Sequence, residues 1–315
     1  MNKPKAYYSV VIPVYNEQGN IEKLNQEIKQ VMTSLRQNYE IIYVNDGSTD
    51  STLNELKKLK KIKIIDLNKN YGQSTALDAG FKMAEGEIII SMDGDLQNNP
   101  EDIPKLLKKL KDDDLDVVAG WRKHRADKSG IKVLTLLGRF ARKVFIKDNI
   151  HDTGCTLRVY KQKAAKSLDL QGEMHRYILA LLRWKGFRIG EIIVEDRKRK
   201  SGVSKYGYSK AIRGFLDLIY VWFIKKYSQR PLHIFGYLSI LSFFLGAGIE
   251  ALLMIKKVFF RIDLSDNAWF ILGFFLLGLS FVSFVFGMIF EMMIKIQLNT
   301  SPCEKRYHIR EVWRG

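Results

Sequence analysis

Cysteine is nearly missing from this chain: Cys155 and Cys303 are the two in 315 residues, and they lie far apart. That spacing argues against a disulfide framework and against a zinc site. Acidic residues are the minority charge, 34 against 51 Lys and Arg, for a formal net charge of +17. A surplus of this size suits an anionic partner. None of the known modules that interleave basic and aromatic residues is present, which excludes nucleic acid as the expected partner and leaves anionic lipid headgroups. No internal repeat and no low-complexity tract is evident. The N-terminal apolar run Tyr8–Val14 is too short for a signal peptide and is followed by polar residues, so the N-terminal part is expected to stay in the cytosol.

What the chain does have is two apolar runs close to the C-terminus, Leu232–Ile249 and Ala268–Phe290. A helix crosses a bilayer in roughly 20 residues. The second run reaches that length free of charge; the first does so only by taking in Glu250. Two membrane helices are expected, about 232–255 and 268–292, the alternative being a buried core hairpin. Lys225, Lys226, Arg230, Lys295, Lys305, Arg306, Arg310 and Arg314 flank the pair, against Lys256, Lys257 and Arg261 in the connection. Basic residues stay on the cytoplasmic side, so both termini are expected there, in a plasma or inner membrane. The division that follows is a cytosolic N-terminal domain over 1–205, a juxtamembrane region over 206–230, a membrane hairpin over 231–296 and a basic tail over 297–315.

Before residue 120, short apolar runs alternate with helical patterns. Ser9–Val14 breaks into Tyr15-Asn16-Glu17; Glu40–Val44 breaks into Asn45-Asp46-Gly47-Ser48; Lys63–Leu67 precedes a helix; Ile88–Ser91 runs into Met92-Asp93-Gly94-Asp95-Leu96-Gln97; and Asp116–Gly120 closes the series. Strand–helix alternation predicts an α/β fold with a mostly parallel twisted sheet. Ligands of such sheets bind outside the carboxyl ends of the strands, where this pattern delivers Asp46 and Asp93. Paired carboxylates suit a hard cation, Mg²⁺ or Mn²⁺, whose shell is completed by phosphate oxygens. Gly94 would let a ligand approach the backbone. Asp-Gly is also an ordinary turn dipeptide, so the motif alone leaves both readings open. Ile131–Ile146 is basic and apolar at helical spacing, either an interfacial helix or a packing helix. His151 and His175 read as hydrogen-bonded structural groups, and Cys155 as a small buried residue.

In this order, Val11–Glu17, Val44–Asp50 and Met92–Gln97 resemble glycosyltransferase family 2 and its GT-A nucleotide-sugar-binding fold. Asp152–Arg158, His175-Arg176-Tyr177 and Gly202–Tyr206 are similar to its polyprenyl-phosphate subgroup, that of dolichol-phosphate mannose synthase and the undecaprenyl-phosphate glucosyl- and aminoarabinosyl-transferases. The resemblance implies a membrane-bound inverting enzyme that moves one sugar from a nucleotide-sugar, UDP ahead of GDP, to a polyprenyl phosphate. It places Pro13, Tyr15, Glu17 and Asp46 around the nucleotide. Asp93, Asp95 and Gln97 hold the metal and the diphosphate, with Asp95 central to catalysis. Arg122 and Arg139 face phosphates of donor or acceptor. Beside the resemblance, Asp152 reads either as a group positioning the acceptor or as a cap or turn residue, and Arg176 as a phosphate-binding candidate. Arg197, Ser204 and Lys205 sit on a loop closing over the site. No dedicated base is found, and an ionised lipid phosphate needs none. A homo-oligomer formed through the membrane helices fits this picture.

Rival readings are a processive synthase, an enzyme with a soluble or protein acceptor, and an inactive nucleotide-sugar scaffold. The processive enzymes carry Gln-x-x-Arg-Trp; here Arg183-Trp184 is present but the Gln position is Ala180.

Overall fold

A computed structural model describes residues 6–123, 150–170, 172–197, 232–260, 267–299 and 307–314. The chain forms two compact units: a sheet domain, which takes in both 6–197 and 307–314, and an apolar hairpin between them.

The sheet has eight strands: β1 (Tyr8–Val14), β2 (Tyr39–Asn45), β3 (Lys63–Leu67), β4 (Ile88–Ser91), β5 (Val117–Trp121), β6 (Arg158–Lys161), β7 (Ile189–Ile193) and β8 (Ile309–Arg314). Their spatial order is β7-β5-β6-β4-β1-β2-β3-β8. Pairing makes β1–β5 and β7 run one way, with β6 and β8 antiparallel to their neighbours. β1 has β2 on one side and β4 on the other. The order therefore reverses between β1 and β4, at the sort of crevice where open α/β sheets bind ligands.

The central strands are apolar on both faces because helices cover both. Val10, Ile12, Ile41 and Tyr43 face one core, with α1 (Ile21–Ser34), α2 (Thr52–Lys58) and α4 (Ile103–Asp112). Val11, Ile42, Val44 and Ile89 face the other, with α3 (Gln73–Met83), α5 (Gln162–Lys166) and α6 (Ile178–Trp184). The helix expected from Pro100 opens as a 3-10 turn, Pro100–Asp102, capped where the Asn99 side chain accepts from the Glu101 amide at 3.1 Å, and only then becomes α4.

The structure departs from the sequence reading at the C-terminus. Part of the expected basic tail, Ile309–Arg314, is the edge strand of the catalytic sheet. Tyr307, 7% exposed, packs into the second core, and Arg310 and Arg314 face the Asp66 and Glu85 carboxylates at 3.5 Å each. Without β8 the β3 edge would be open to solvent and to other strands.

The hairpin consists of α7 (Leu232–Phe260) and α8 (Ala268–Asn299), both long and apolar enough to cross a membrane. Small and hydroxyl residues line its seam: Ser239 and Ser280 share a hydrogen bond of 3.1 Å, and Ser242, Gly246 and Ser283 are buried. Large apolar residues point outward instead, Phe244 at 69% exposure, Phe259 at 76% and Phe281 at 71%. A helix pair with polar groups inside and rings outside is matched to lipid, not water. Glu250 lies against Gly273, where a side chain would collide with the carboxyl group; its Oε1 has no hydrogen-bond partner among the described residues.

Candidate active site

Four loops meet at the carboxyl ends of β1, β2, β4 and β5. The loops after β1 and β2 are laced together. Asn16, at φ 55°, accepts from the Thr49 amide at 2.8 Å through its side chain and donates its own amide to Ser48 Oγ at 3.0 Å. The Glu17 amide reaches Thr52 Oγ1 at 2.9 Å, and the Glu17 carboxylate holds Asn20 at 2.6 Å. Tyr15 stands exposed at this rim, whereas Pro13 is buried within β1 opposite Val44. Asp46 is buried too. Its two carboxylate oxygens accept from the amides of Tyr71 and Gly72 at 2.7 and 2.9 Å, so it holds the loop between β3 and α3.

β4 delivers Asp93 and Asp95. At Gly94 a Cβ would come within 2.8 Å of Val14 Cγ1, so the missing side chain lets the motif lie close against the end of β1. The turn is held by Asn98, whose Oδ1 accepts from the Asp93 amide at 3.1 Å and from Thr156 Oγ1 at 2.9 Å. Asp93 Oδ1 accepts from Gln73 Nε2 at 2.7 Å. Burial first, and then the Asp95 carboxylate, push the Asp93 carboxyl up to about 7. A buried carboxylate with a second one beside it makes a site that a cation would relieve. Among the described residues no third His, Cys, Asp or Glu side chain joins them, so a Mg²⁺ or Mn²⁺ held here would have much of its shell left for phosphate oxygens, as hard cations do. The donor set fits such an ion. Gln97 meets this group through its backbone: its amide donates to Asp95 Oδ1 at 3.1 Å, and its carbonyl accepts from the Arg197 amide at 3.0 Å.

β5 delivers Arg122, and the segment before β6 delivers Asp152. The structure brings these two together. Arg122 Nε and Nη2 form a fork on the Asp152 carboxylate at 2.8 and 3.2 Å, with 9% and 12% of the side chains exposed. Burial pushes the Asp152 carboxyl up, but the guanidinium's hydrogen bonds and charge outweigh it and hold the group below the usual carboxylate range. Asp196 adds a second carboxylate 3.8 Å from Arg122. Arg197 is likewise engaged, with Glu27 at 2.7 Å and Asn99 at 2.6 Å, and Arg176 pairs with Glu173 at 2.8 Å. Arg139, Ser204 and Lys205, with the basic helix expected over 131–146 and the juxtamembrane region, lie outside the described residues.

Three groups given no role in the sequence complete the neighbourhood: Gln73, and Thr156 and Arg158 from within the Asp152–Arg158 segment. Arg158, 2% exposed, donates to the carbonyls of Thr153 and His175 at 2.7 and 3.4 Å and thereby ties the Asp152 segment to the Met174–Tyr177 turn. Gln73 was legible in principle. It opens a helix directly after a strand end, on the rim that carries Asp46 and Asp93.

The bland expectations for His151 and Cys155 agree with their surroundings. His151 stacks on Trp121 at 4.2 Å and binds Glu191 at 2.9 Å, while Cys155 is fully buried, its thiol pushed up to about 11 mainly by that burial. His175 is neutral. Ser74 Oγ accepts from its amide and lies 2.9 Å from Nδ1, and burial first, then the Arg176 and Arg158 cations, pull its pKa from 6.5 to about 3. The unfolded chain therefore takes a proton below about pH 6.5 that the folded chain refuses until about pH 3, and stability is lost as pH falls through that window. Chemical denaturation should show the stability gap between wild type and His175→Asn narrowing by about 2 kcal/mol from pH 7 to pH 5.

A mostly parallel sheet with carboxylates at its switch point defines a GT-A-like nucleotide-sugar fold, and solved structures agree. Glucosyl-3-phosphoglycerate synthase from Mycobacterium tuberculosis, in complex with Mn²⁺, UDP-glucose and phosphoglyceric acid, superposes with a TM-score of 0.55 at 16% identity over 70% of this chain and 79% of that one. The model for "Glycosyl transferase family 2" matches residues 9–169. Over 81% of this chain and 76% of the relative, the sequence is 37% identical to dodecaprenyl-phosphate galacturonate synthase of Rhizobium johnstonii. It is 32% identical, over 99% of this chain and 96% of the relative, to undecaprenyl-phosphate 4-deoxy-4-formamido-L-arabinose transferase of Edwardsiella ictaluri. The chain belongs to glycosyl transferase family 2 and is a glycosyltransferase.

Proposed function

We propose that this protein transfers one sugar from a nucleoside-diphosphate sugar, UDP ahead of GDP, to a polyprenyl phosphate, with inversion at the anomeric carbon. The observation that carries the reading is similarity to two polyprenyl-phosphate sugar transferases over 81% and 99% of the chain, the second match taking in the apolar hairpin. An acceptor soluble only in lipid explains why a nucleotide-sugar fold is fused to such a hairpin. Both ends of the hairpin lead into one sheet, which supports an even number of crossings and a single, cytoplasmic side for the whole domain. The basic flanks favour the same side.

An oxygen of the lipid phosphate attacks the anomeric carbon as the bond to the nucleoside diphosphate breaks on the opposite face. The phosphate is already ionised, because its second pKa lies near ~6, so no residue has to remove a proton. Asp93 and Asp95 would hold a divalent cation, which supplies Lewis-acid neutralisation of the departing diphosphate. Tyr15 and Glu17, beside the Asp46-held loop, form the nucleotide side. Asp152, fixed by Arg122, and the turn bearing Arg176 form the acceptor side.

The test is purified full-length enzyme with undecaprenyl phosphate, Mg²⁺ or Mn²⁺, and a panel of UDP- and GDP-sugars, with the extracted lipid read by mass spectrometry. Wild type should add one sugar per lipid, and Asp95→Asn should lower the rate by about 10²–10³-fold. Nucleotide released without sugared lipid would exclude the lipid acceptor.

A further inference from the structure

The loop between β3 and α3 is gripped from two directions. On its inner side the Asp46 carboxylate takes the Tyr71 and Gly72 amides, as described. Gly47, at φ +66°, lets the loop lie so close that a Cβ there would collide with the backbone of Lys69 and Asn70. The next residue, Gln73, binds Asp93. A shift of this loop therefore reaches both the nucleotide rim and the carboxylate pair.

On its outer side the grip comes from the other end of the chain. The Asn68 amide donates to the His308 carbonyl at 3.2 Å, and the His308 amide donates to Tyr71 Oη at 3.3 Å. That hydroxyl in turn donates to Asn68 Oδ1 at 2.8 Å. Arg310 Nη2 donates to the Asn68 carbonyl at 2.9 Å, while its Nη1 lies 3.5 Å from Asp66, the residue that accepts from the buried Asn45 side chain at 2.7 Å. The β3–β8 register shifts at Asp66 and Leu67, where the strand gives way to this loop.

We infer that the segment after the hairpin, through Tyr307, His308 and Arg310, positions the nucleotide-binding half of the active site by clamping residues 68–72 against Asp46. This rests on the proposed nucleotide-sugar site. Arg310 is a positioning residue: it acts through Asn68 and Asp66, and its removal loosens donor binding while leaving the lipid acceptor's side untouched. A strand that merely closed a sheet edge would not discriminate between the two substrates.

The experiment compares Arg310→Met, Tyr71→Phe and Glu311→Gln with wild type, all full-length in detergent. Glu311 pairs with Lys57 at 3.7 Å and has no bond to the loop, so it controls for a weakened strand. UDP and GDP affinities are measured by calorimetry, the KM values for donor and lipid phosphate separately, and folding by thermal melting. For whichever nucleotide the wild type binds, Arg310→Met should weaken affinity by between about three- and tenfold, and Tyr71→Phe by about threefold, as expected for lost hydrogen bonds. Donor KM should rise in step, with lipid KM and kcat within about twofold and Glu311→Gln like wild type. Equal nucleotide affinity in Arg310→Met and wild type would overturn the inference. So would equal weakening in Glu311→Gln, or parallel rises in both KM values with a lowered melting temperature. If wild type binds nucleotide yet moves no sugar to lipid phosphate, the proposed acceptor fails, and the affinity ratio still decides for or against the clamp.

Discussion

Asp152→Ala should cost about 3–5 kcal/mol of stability, the usual result of removing one partner of a buried ion pair, and should abolish sugar transfer. Among the described residues Arg122 would keep only the Asp196 carboxylate, at 3.8 Å, to balance a guanidinium that is 9% exposed. The Gly154 amide, now 2.9 Å from Asp152 Oδ1, would lose its acceptor as well. In a domain of this size the expected fall in melting temperature is roughly 10 °C. The informative companion is the double variant Arg122→Met/Asp152→Leu. Apolar residues of similar volume often replace a buried pair without loss, so stability should return to within about 1–2 kcal/mol of wild type. Activity should not return, because the proposed acceptor side has lost its charges. If the double variant were as unstable as the single one, the pair's worth would lie in packing; if it regained activity, neither residue would serve the reaction.

Stopping the chain at Arg306 should have a comparable effect, although the residues removed lie far from the site in sequence. The core loses Tyr307, and burying one such side chain contributes ~1.5–3 kcal/mol. The edge of β3, with Ile64 and Ile65 behind it, loses every ladder bond to β8. The surface ion pairs that go with the strand contribute little, ~0–1 kcal/mol each. We expect a net loss of roughly 3 kcal/mol and concentration-dependent light scattering, since an open edge is a template for another chain. A truncated protein that melts like wild type and stays monodisperse would show β8 to be dispensable.

The sequence carried the site further than it carried the sheet. β1, β2 and β4 are contiguous apolar runs that end in polar turns, so both they and their shared rim could be read locally. β8 could not. Ile309-Arg-Glu-Val-Trp-Arg314 shows no clean alternation, carries three charges and pairs with a strand more than 240 residues earlier. β6 enters antiparallel among parallel neighbours, and nothing in Arg158–Lys161 signals that direction. The residues of the site were legible as types, not as partners. Arg122 and Asp152 are 30 positions apart, and each taken alone reads as a group free to meet a substrate. Gly94 was identified by its lack of a side chain, but only the fold shows that Val14 fills the space.

The position of β8 also orders events during synthesis. The ribosome finishes both apolar helices before it makes Tyr307–Arg314, so the catalytic sheet cannot close until the hairpin has left the exit tunnel. A copy in which only one of the two helices crossed a bilayer would hold β8 on the side opposite β3 and keep an unfinished domain. Completion of the sheet would thus report an even number of crossings, and quality-control proteases would meet an unfinished edge first.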